Sequence, residues 1–289
     1  MPVTPTEKIL VILNPAARSE RAKGTWEKIR NLPAATVQTT TARGDARSIA
    51  EWAVGQGFGT VVAAGGDGTI NEVVNGLVGS DVALGILPVG TMNVFAAELG
   101  IPNSLPKAWE IICDHNTRRI DLARANDQYF VQLAGVGLDA QVVQETSYKF
   151  KKNFGPLSYL ISAAQIAARK PPKLIIEHDD TRQEGSFVLI GNGRYYGGPV
   201  AVFKNARIDD GKLDVLIFKN LGYLDIARYL GNIFMGSHTE LEDVEYFQTK
   251  RVAVSSKEAV PIEVDGEVVT KLPVTFRISS RKLKVIVPR

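Results

Sequence analysis

Short apolar runs alternate with amphipathic stretches up to about Asp121. Ile9 to Leu13 and Val61 to Ala64 are continuously apolar, which is typical of strands buried on both faces of a parallel sheet. Between these runs, apolar residues recur at helical spacing. The alternation of the two patterns predicts a parallel sheet covered by helices.

The remaining elements of this region follow the same pattern. Val37 lies in a second short strand, and Asp45 is predicted to cap a helix. After the third strand comes a glycine-rich turn, followed by a second helix and a fourth strand. The fourth strand is predicted at Leu84 to Leu87. The predicted apolar faces of the three helices are Ala22, Trp26 and Ile29; Ile49, Ala50 and Ala53; and Ile70, Val73, Val74 and Leu77.

Beyond Asp121 most segments are short, rich in β-branched residues and separated by turn residues. Such a series is typical of a sandwich or a barrel-like domain. Two stretches, Leu157 to Ala168 and Leu224 to Phe234, have the apolar face of a helix. The predicted strands are Tyr129 to Ala134, Leu174 to Glu177, Ser186 to Ile190, Leu213 to Phe218, Val252 to Ser255, Ile262 to Val264, Val274 to Ile278 and Leu283 to Val287.

Composition narrows the class of protein. The 289 residues, 45% of them hydrophobic, are enough for two buried cores. A single cysteine, Cys113, excludes an internal disulfide framework, and the histidines His115, His178 and His238 lack metal-ligand spacing. We therefore expect a reducing, cytoplasmic compartment.

Charge and hydropathy exclude further classes. The net charge of +3 is mild, so we expect no nucleic-acid partner. Met1 to Glu7 lacks the charged and apolar regions of a secretion signal. No uninterrupted apolar stretch approaches the roughly 18 residues that span a bilayer. We expect neither secretion nor a membrane span.

The glycine-rich turn Gly65-Gly66-Asp67-Gly68-Thr69 is the first candidate site. Glycines let backbone N–H groups approach phosphates, and Thr69 can donate its hydroxyl to a phosphate oxygen. Asp67 would be repelled by phosphate unless Mg²⁺ intervenes, which suggests a metal-positioning carboxylate. From spacing alone, a purely structural strand-to-helix turn, with Asp67 or Thr69 as helix cap, explains the motif equally well.

A second segment of this kind, Pro88 to Asn93, follows the next strand. With it, the chain resembles the diacylglycerol kinase catalytic-domain superfamily, including its bacterial soluble lipid kinases, over essentially its whole length. The resemblance rests on the order of several segments: Asn14-Pro15, Gly44-Asp45-Ala46, Gly65 to Thr69 with Asn71-Glu72, Pro88 to Asn93, Gly191-Asn192-Gly193 with Tyr195 to Gly198, Asp209 to Asp214, and Val264 to Glu267.

The resemblance implies an α/β N-terminal domain, a parallel sheet flanked by helices, and a β-rich, sandwich-like C-terminal domain, with the active site in the interdomain cleft. Residues 1–122, completed by 279–289, would form the nucleotide-binding domain, and residues 123–278 the lipid-substrate domain. ATP would be the phosphoryl donor. Its pocket would be formed by Asn14, Thr40, Gly65, Gly66, Asp67, Gly68, Thr69 and Thr91.

Two departures from the family pattern stand near this pocket. Many relatives have Ser-Gly where this chain has Ala16-Ala17, and an Asp after the Asn where this chain has Val94. At the first departure, Arg18 is the candidate for an electrostatic substitute for the missing Ser-Gly pair. Any function of the missing carboxylate is absent or moved.

Glu267 resembles the family's general base, which accepts the proton of the attacking lipid hydroxyl, so Glu267 and Asp67 are the predicted catalytic residues. Read without the family, Asp265-Gly266 is a hairpin turn and Glu267 a solvated strand end. The resemblance also implies a structural Mg²⁺ bound by the Asp210 carboxylate and by the backbone carbonyls of Arg207 and Lys212. The same residues are explained by a turn leading into a strand.

Lys149 to Phe154 and the helix after it form the predicted membrane-facing surface, because cations and aromatic side chains suit a lipid interface. A solvated turn followed by a core-facing helix is the alternative. The predicted partner is a lipid at the membrane surface, with peripheral contact at the inner membrane face. Strand edges can also pair two subunits, which leaves a homodimer open.

Two other functions share these features. An NAD kinase has a similar glycine motif and length, although its substrate is soluble. A catalytically silent nucleotide or lipid sensor would retain the scaffold, and fold alone does not exclude it. The sequence does not distinguish diacylglycerol from other long-chain lipid alcohols, nor ATP from GTP.

Overall fold

A computed structural model describes residues 8–15, 22–137, 172–198 and 200–289. The contacts divide the chain into two compact units, Met1–Leu122 with Ser279–Arg289, and Ala123–Ile278. The predicted helix Leu157 to Ala168, the Lys149 to Phe154 surface and the Ala16 to Ser19 departures lie outside the described residues. No helix in the described part of the chain is long and apolar enough to cross a membrane.

The first unit contains a parallel sheet in the order β2-β1-β3-β4, and the last residues of β18 run parallel to β4. Every residue of β1 and β3 is buried, because helices cover both faces of a sheet of this kind. The prediction of a helix-covered parallel sheet is confirmed. The strands are β1 (Ile9–Leu13), β2 (Ala35–Thr39), β3 (Thr60–Gly65), β4 (Ala83–Pro88) and β18 (Val274–Ile286).

Helices α2 and α3 of this unit pack closely through small side chains. A side chain added at Gly76 would place its Cβ 2.6 Å from the carbonyl oxygen of Arg47 and 2.7 Å from the Cβ of Ala50. The backbones can approach this closely only because Gly76 lacks a side chain. The helices are α1 (Ala22–Arg30), α2 (Asp45–Gly55), α3 (Asp67–Leu77), α4 (Val94–Glu98) and α5 (Leu105–Asp114).

The prediction that Asp45 caps α2 is wrong. Gly44, with φ 88°, precedes the helix and Asp45 is its first residue. The Asp45 carboxylate instead accepts hydrogen bonds from Thr41 N at 2.7 Å and Ala42 N at 2.8 Å. The carboxylate of Glu72 holds the start of α2, because it accepts Gly44 N at 3.0 Å and Ala46 N at 3.2 Å. A carboxylate there is favourable beside the positive end of the helix dipole.

The second unit is a β-sandwich, as predicted. One layer is an antiparallel sheet in the order β14-β13-β10-β7-β16-β17, and the other joins β9, β8, β15 and the first residues of β18. Alternate residues of these strands, such as Val215, Val188 and Phe276, face a shared apolar core. The strands are β7 (Leu133–Val136), β8 (Leu174–His178), β9 (Thr181–Gly185), β10 (Phe187–Gly191), β13 (Leu213–Phe218), β14 (Val244–Thr249), β15 (Arg251–Ser256), β16 (Pro261–Val264) and β17 (Glu267–Lys271).

The other face of the six-stranded sheet packs against helix α6 (Tyr223–Met235) through Phe187, Phe218 and Tyr229. The rings of Phe187 and Phe218 are stacked with their centroids 4.1 Å apart. This second core fixes the six-stranded sheet from both faces. The remaining elements are β5 (Thr117–Ala125), β6 (Gln128–Phe130), β11 (Tyr195–Tyr196), β12 (Val200–Ala201) and a 3₁₀ helix (His238–Glu240).

Two strand predictions need correction. The predicted strand Tyr129 to Ala134 is divided into β6 and β7 by a bend at Val131 and Gln132, whose N–H groups both donate to the Asp265 carboxylate. The predicted strands Val274 to Ile278 and Leu283 to Val287 are one strand, β18. Polar residues interrupt its apolar pattern, but the strand continues, and its Lys282 forms an ion pair with buried Asp121 at 2.8 Å.

Candidate functional site

The carboxyl ends of four neighbouring parallel strands gather the predicted nucleotide residues of the first unit. Asn14 follows β1, Thr40 follows β2, Gly65 ends β3 and Thr91 lies in the loop after β4. The order β2-β1-β3-β4 brings these strand ends to the same edge of the sheet. Ligands of open α/β sheets bind at this edge.

Asn14 and Thr69 are in direct contact. Asn14 Nδ2 donates a hydrogen bond to Thr69 Oγ1 over 2.8 Å. Because the hydroxyl oxygen accepts from Asn14, its proton remains available for donation to another acceptor. The contact supports the prediction that both residues belong to one site.

Close packing explains why glycine occupies two of these positions. Gly65 packs against Thr69, and Gly90, in the loop after β4, packs against Gly66 in the glycine turn after β3. A Cβ at Gly65 would lie 2.4 Å from Thr69 Oγ1. A Cβ at Gly90 would lie 2.4 Å from Gly66 Cα. Side chains at Gly65 or Gly90 would therefore displace Thr69 or separate the two loops.

Helix α3 begins directly at the glycine turn. Gly66 is its N-cap and has no side chain to cap it, and Gly68 lies in its first turn. The first N–H groups of a helix and its dipole attract phosphate. The local geometry therefore suits an anion at the end of β3.

Asp67 has a structural contact that the sequence did not predict. Its Oδ1 accepts Phe95 N at 3.1 Å, at the start of α4. Burial raises the pKa of the Asp67 carboxyl, and hydrogen bonds from the N–H groups of Phe95 and Val94 act in the opposite direction. Asp67 thus ties the glycine turn to the loop after β4.

Asn93 holds that loop from the other side, and sequence reasoning assigned it no function. It is buried, has φ 50°, and its Nδ2 donates to Gly90 O and to Asn103 Oδ1, both at 3.0 Å. Asparagine tolerates this left-handed conformation better than most residues. The signal in the sequence that pointed to Asn93 was its position in the Pro88 to Asn93 segment, which is part of the family resemblance.

In the second unit, Arg207, Asp210 and Lys212 lie together in the turn before β13. Asp210 Oδ1 accepts Lys212 N at 3.0 Å, Asp210 N donates to Arg207 O at 3.4 Å, and Gly211 has φ 75°. The predicted turn is present. Its carboxylate and backbone carbonyls are the hard oxygen donors that Mg²⁺ prefers.

Asp214, four residues after Asp210 and missed by sequence reasoning, is buried at the start of β13. Its Oδ1 accepts from Tyr246 Oη at 2.5 Å and from Gln248 Nε2 at 3.1 Å. Burial raises the pKa of Asp214 most, and the nearby charge of Asp210 adds to the rise. The other residues of Leu213 to Phe218 are all apolar, so a single acid within this apolar run was the signal available in the sequence.

Glu267 begins β17 directly after the two-residue turn Asp265-Gly266. Both turn residues have positive φ, 46° and 85°, as a type I′ hairpin requires. The Asp265 carboxylate accepts three backbone N–H groups, those of Val131, Gln132 and Leu133, at 2.9 to 3.1 Å. This clamp fixes the hairpin that carries Glu267, which is partly exposed.

Asn192 holds the same bend from the neighbouring strand. Asn192 Nδ2 donates to Val131 O at 2.9 Å, and Asn192 N donates to Gln132 O at 2.8 Å. The Gly191-Asn192-Gly193 segment thus has a structural explanation.

Within the described ranges, no group of three His, Cys, Asp or Glu side chains could hold a metal ion, so the predicted Mg²⁺ site depends on backbone carbonyls as well.

Two family models match the chain. The diacylglycerol kinase catalytic domain matches residues 8–125. The YegS C-terminal NAD kinase beta sandwich-like domain matches residues 132–287. The two matches follow one another along nearly the whole chain.

Curated relatives and solved structures agree with these matches. A diacylglycerol kinase of Staphylococcus haemolyticus is 32% identical, covering 96% of this chain and 88% of that protein. A diacylglycerol kinase of Staphylococcus aureus strain MRSA252 is 31% identical, covering 96% and 91%. A crystal structure of a diacylglycerol kinase from Bacillus anthracis has a TM-score of 0.81 and 27% identity, covering 98% of this chain and 97% of that chain.

Proposed function

The chain belongs to the diacylglycerol kinase family, and on that premise we propose that it transfers the γ-phosphate of ATP to the hydroxyl of a diacylglycerol-like lipid. The observation that carries the proposal is the gathering of Asn14, Gly65 and Thr69 at the carboxyl edge of the parallel sheet. The Asn14 amide, the Thr69 hydroxyl and the backbone N–H groups of the glycine turn are uncharged hydrogen-bond donors for phosphate oxygens.

The nucleotide phosphates would lie against the start of α3. Backbone N–H groups of Gly66, Gly68 and Thr69 are suited to phosphate oxygens, and the Thr69 hydroxyl can donate because its oxygen already accepts from Asn14. Thr40 and Thr91 would complete the pocket. Asp67, through its contact with Phe95, would keep the two loops in place beside the phosphates.

Glu267 would act as general base. The lipid hydroxyl oxygen forms a bond to the γ-phosphorus, the bond from that phosphorus to the oxygen of the departing ADP breaks, and the hydroxyl proton passes to the Glu267 carboxylate. The clamp of Asp265 on residues 131 to 133 supports this assignment, since a base must be held in a fixed position.

Mg²⁺ fits two positions in this proposal. One ion, carried with ATP, would neutralise phosphate charge during transfer. Another would be held structurally by the Asp210 carboxylate and the carbonyls of Arg207 and Lys212, an all-oxygen donor set. The turn around Gly211 brings these three residues together.

A lipid substrate requires contact with a bilayer, which we place at the inner face of the membrane, where ATP is available. Helix α6 offers an apolar surface for that contact. Leu224, Phe234 and Met235 are 86%, 70% and 74% exposed. Leu224 and Met235 lie on the same side of the helix, and Phe234 is about 100° around the axis from Met235, so the three share one broad face. Lys204 lies beside the C-terminal end of the helix. Exposed apolar residues beside a cation suit a lipid interface.

One kinase assay separates this function from its nearest alternative. Transfer of label from [γ-³²P]ATP is measured with diacylglycerol, other long-chain lipid alcohols and NAD⁺ as acceptors. The proposal expects label in a lipid and none in NAD⁺. Label in NAD⁺ alone would establish the NAD kinase alternative, which the NAD kinase-like sandwich keeps relevant. Nucleotide binding without transfer to any acceptor would establish a silent relative.

A further inference from the structure

Asp214 is a buried carboxylate with one oxygen that no described residue satisfies. The residue is 1% exposed. Its Oδ1 accepts from Tyr246 and Gln248, whereas its Oδ2 is buried and has no hydrogen-bond partner among the described residues. Leaving a buried carboxylate oxygen without a donor or a cation is costly.

The neighbouring strands explain why no donor from the described residues reaches this oxygen. Asp214 lies opposite Gln248 on β14 and opposite Gly191 on β10, and Gly191 has no side chain. A Cβ at Gly191 would lie 2.4 Å from the Phe203 ring, so a side chain there is excluded. Lys212, two residues before Asp214, donates from its Nζ to Gln248 Oε1 at 3.4 Å. The surroundings thus orient Asp214 without neutralising it.

The turn that contains Asp210 leads directly into Asp214. Asp210 lies four residues before Asp214, and Lys212 lies between them. Asp210 already has one oxygen engaged by Lys212 N. Two carboxylates at the entry to one strand, beside backbone carbonyls, form a donor set for a hard divalent cation.

We propose that Asp214 supplies the second carboxylate of the divalent cation site whose first carboxylate is Asp210, with Oδ2 as the atom on the side of the cation. This inference rests on the cation site proposed above and adds a second carboxylate to its donor set. Tyr246 and Gln248 hold Oδ1 and thereby fix the direction of Oδ2, as hydrogen-bond partners outside the ligand set do in metal sites.

The test measures cation binding without nucleotide. Mn²⁺ is titrated into the full chain, and the free ion is followed by electron paramagnetic resonance. Asp214→Asn is expected to weaken Mn²⁺ binding at least about tenfold, because even the loss of a residue that only supports a metal ligand has an effect of this size. Asp209→Asn removes the same charge from the same turn, where Asp209 pairs with Arg207, and is expected to bind Mn²⁺ like the wild-type chain.

The outcomes separate this inference from the site on which it rests. If Asp210→Asn abolishes Mn²⁺ binding and Asp214→Asn leaves it unchanged, the Asp210 site stands and the proposal for Asp214 is overturned. If the wild-type chain binds no Mn²⁺, both are overturned. Neither result bears on lipid phosphorylation itself, which the kinase assay measures separately.

Thermal unfolding distinguishes cation binding from a purely structural function of Asp214. The wild-type chain should gain stability from Mg²⁺ relative to EDTA, because a ligand that binds only the folded state stabilises it. Asp214→Asn should lose most of that gain. An equal gain in both chains would contradict the proposal. If Asp214→Asn does not fold, Tyr246→Phe serves instead: weaker Mn²⁺ binding is expected, and unchanged binding overturns the proposal.

Discussion

Asp265 and Leu133 are joined by two hydrogen bonds of opposite direction. Asp265 N donates to Leu133 O over 2.8 Å, and Leu133 N donates to Asp265 Oδ1 over 3.1 Å. The same carboxylate also accepts from Val131 and Gln132. The hairpin before Glu267 is therefore tied to the start of a different strand by one side chain.

Asp265→Ala should lower the free energy of unfolding by about 3 kcal/mol, because it removes the acceptor of three N–H groups and puts alanine at φ 46°. Asp265→Asn tolerates that conformation and keeps one acceptor oxygen, so we expect a smaller loss. Urea unfolding measures both changes. Equal stability of the two variants would contradict the clamp.

Gly65→Ala should weaken ATP use more than it changes stability. The new Cβ would collide with Thr69 Oγ1 and break its contact with Asn14. Losing a contact of about 1.4 kcal/mol corresponds to about a tenfold rise in the KM for ATP. Gly55→Ala is the matched control, since its Cβ would meet no atom within 4 Å. A normal KM in Gly65→Ala would contradict the assigned pocket.

Asp243 gives a pH dependence of stability. Hydrogen bonds from Arg228 hold the pKa of Asp243 well below its usual range, with Tyr229 adding to the effect and burial opposing it. A carboxylate with a depressed folded pKa stabilises the fold above its unfolded pKa of about 3.9 and loses this contribution as the pH falls through the folded pKa.

The stability difference between the wild-type chain and Asp243→Asn should therefore be constant from pH 7 to about pH 5 and shrink below about pH 4. Urea unfolding at several pH values measures it. Asp127→Asn is the control. The Asp127 carboxylate pairs with Arg124 but is fully exposed, so this variant should differ little in stability from the wild-type chain at any pH. A difference for Asp243→Asn that is unchanged at pH 3 would refute this explanation.

The exposed apolar face of α6 should contribute to liposome binding. Leu224→Ser combined with Phe234→Ser removes two large apolar side chains that are 86% and 70% exposed. Cosedimentation with anionic liposomes should fall clearly. The control combines Trp52→Ser and Val54→Ser on α2, which are 45% and 37% exposed. Equal cosedimentation of both double variants would remove α6 from the proposed membrane contact.

The first unit could be predicted because its signals are local. The buried strands Ile9–Leu13 and Thr60–Gly65 contain the continuous apolar runs Ile9 to Leu13 and Val61 to Ala64, and each run is followed by a helical pattern. Apolar periodicity identifies such elements without knowledge of the rest of the chain. The glycines at Gly65 and Gly90 were likewise visible, although only the structure shows which atoms they approach.

The second unit contains features that depend on distant residues. The bend at Val131 and Gln132 exists because Asp265, more than 130 residues away, accepts their N–H groups. Strand β18 likewise crosses a polar stretch, where its Lys282 pairs with Asp121, a buried residue of the first unit that is distant in the sequence. Asp214 lies within the predicted strand Leu213 to Phe218, but only the structure shows that its carboxylate is buried. Neither periodicity nor turn chemistry contains this long-range information.

The most direct test of the proposed mechanism is the rate at which Glu267→Gln transfers label from [γ-³²P]ATP to diacylglycerol in mixed micelles. Removing a general base should lower kcat by about 10² to 10⁴ and leave the KM for ATP nearly unchanged. Glu258→Gln, at an exposed position, should match the wild-type rate. Full activity of Glu267→Gln would contradict the assignment of Glu267 as the base.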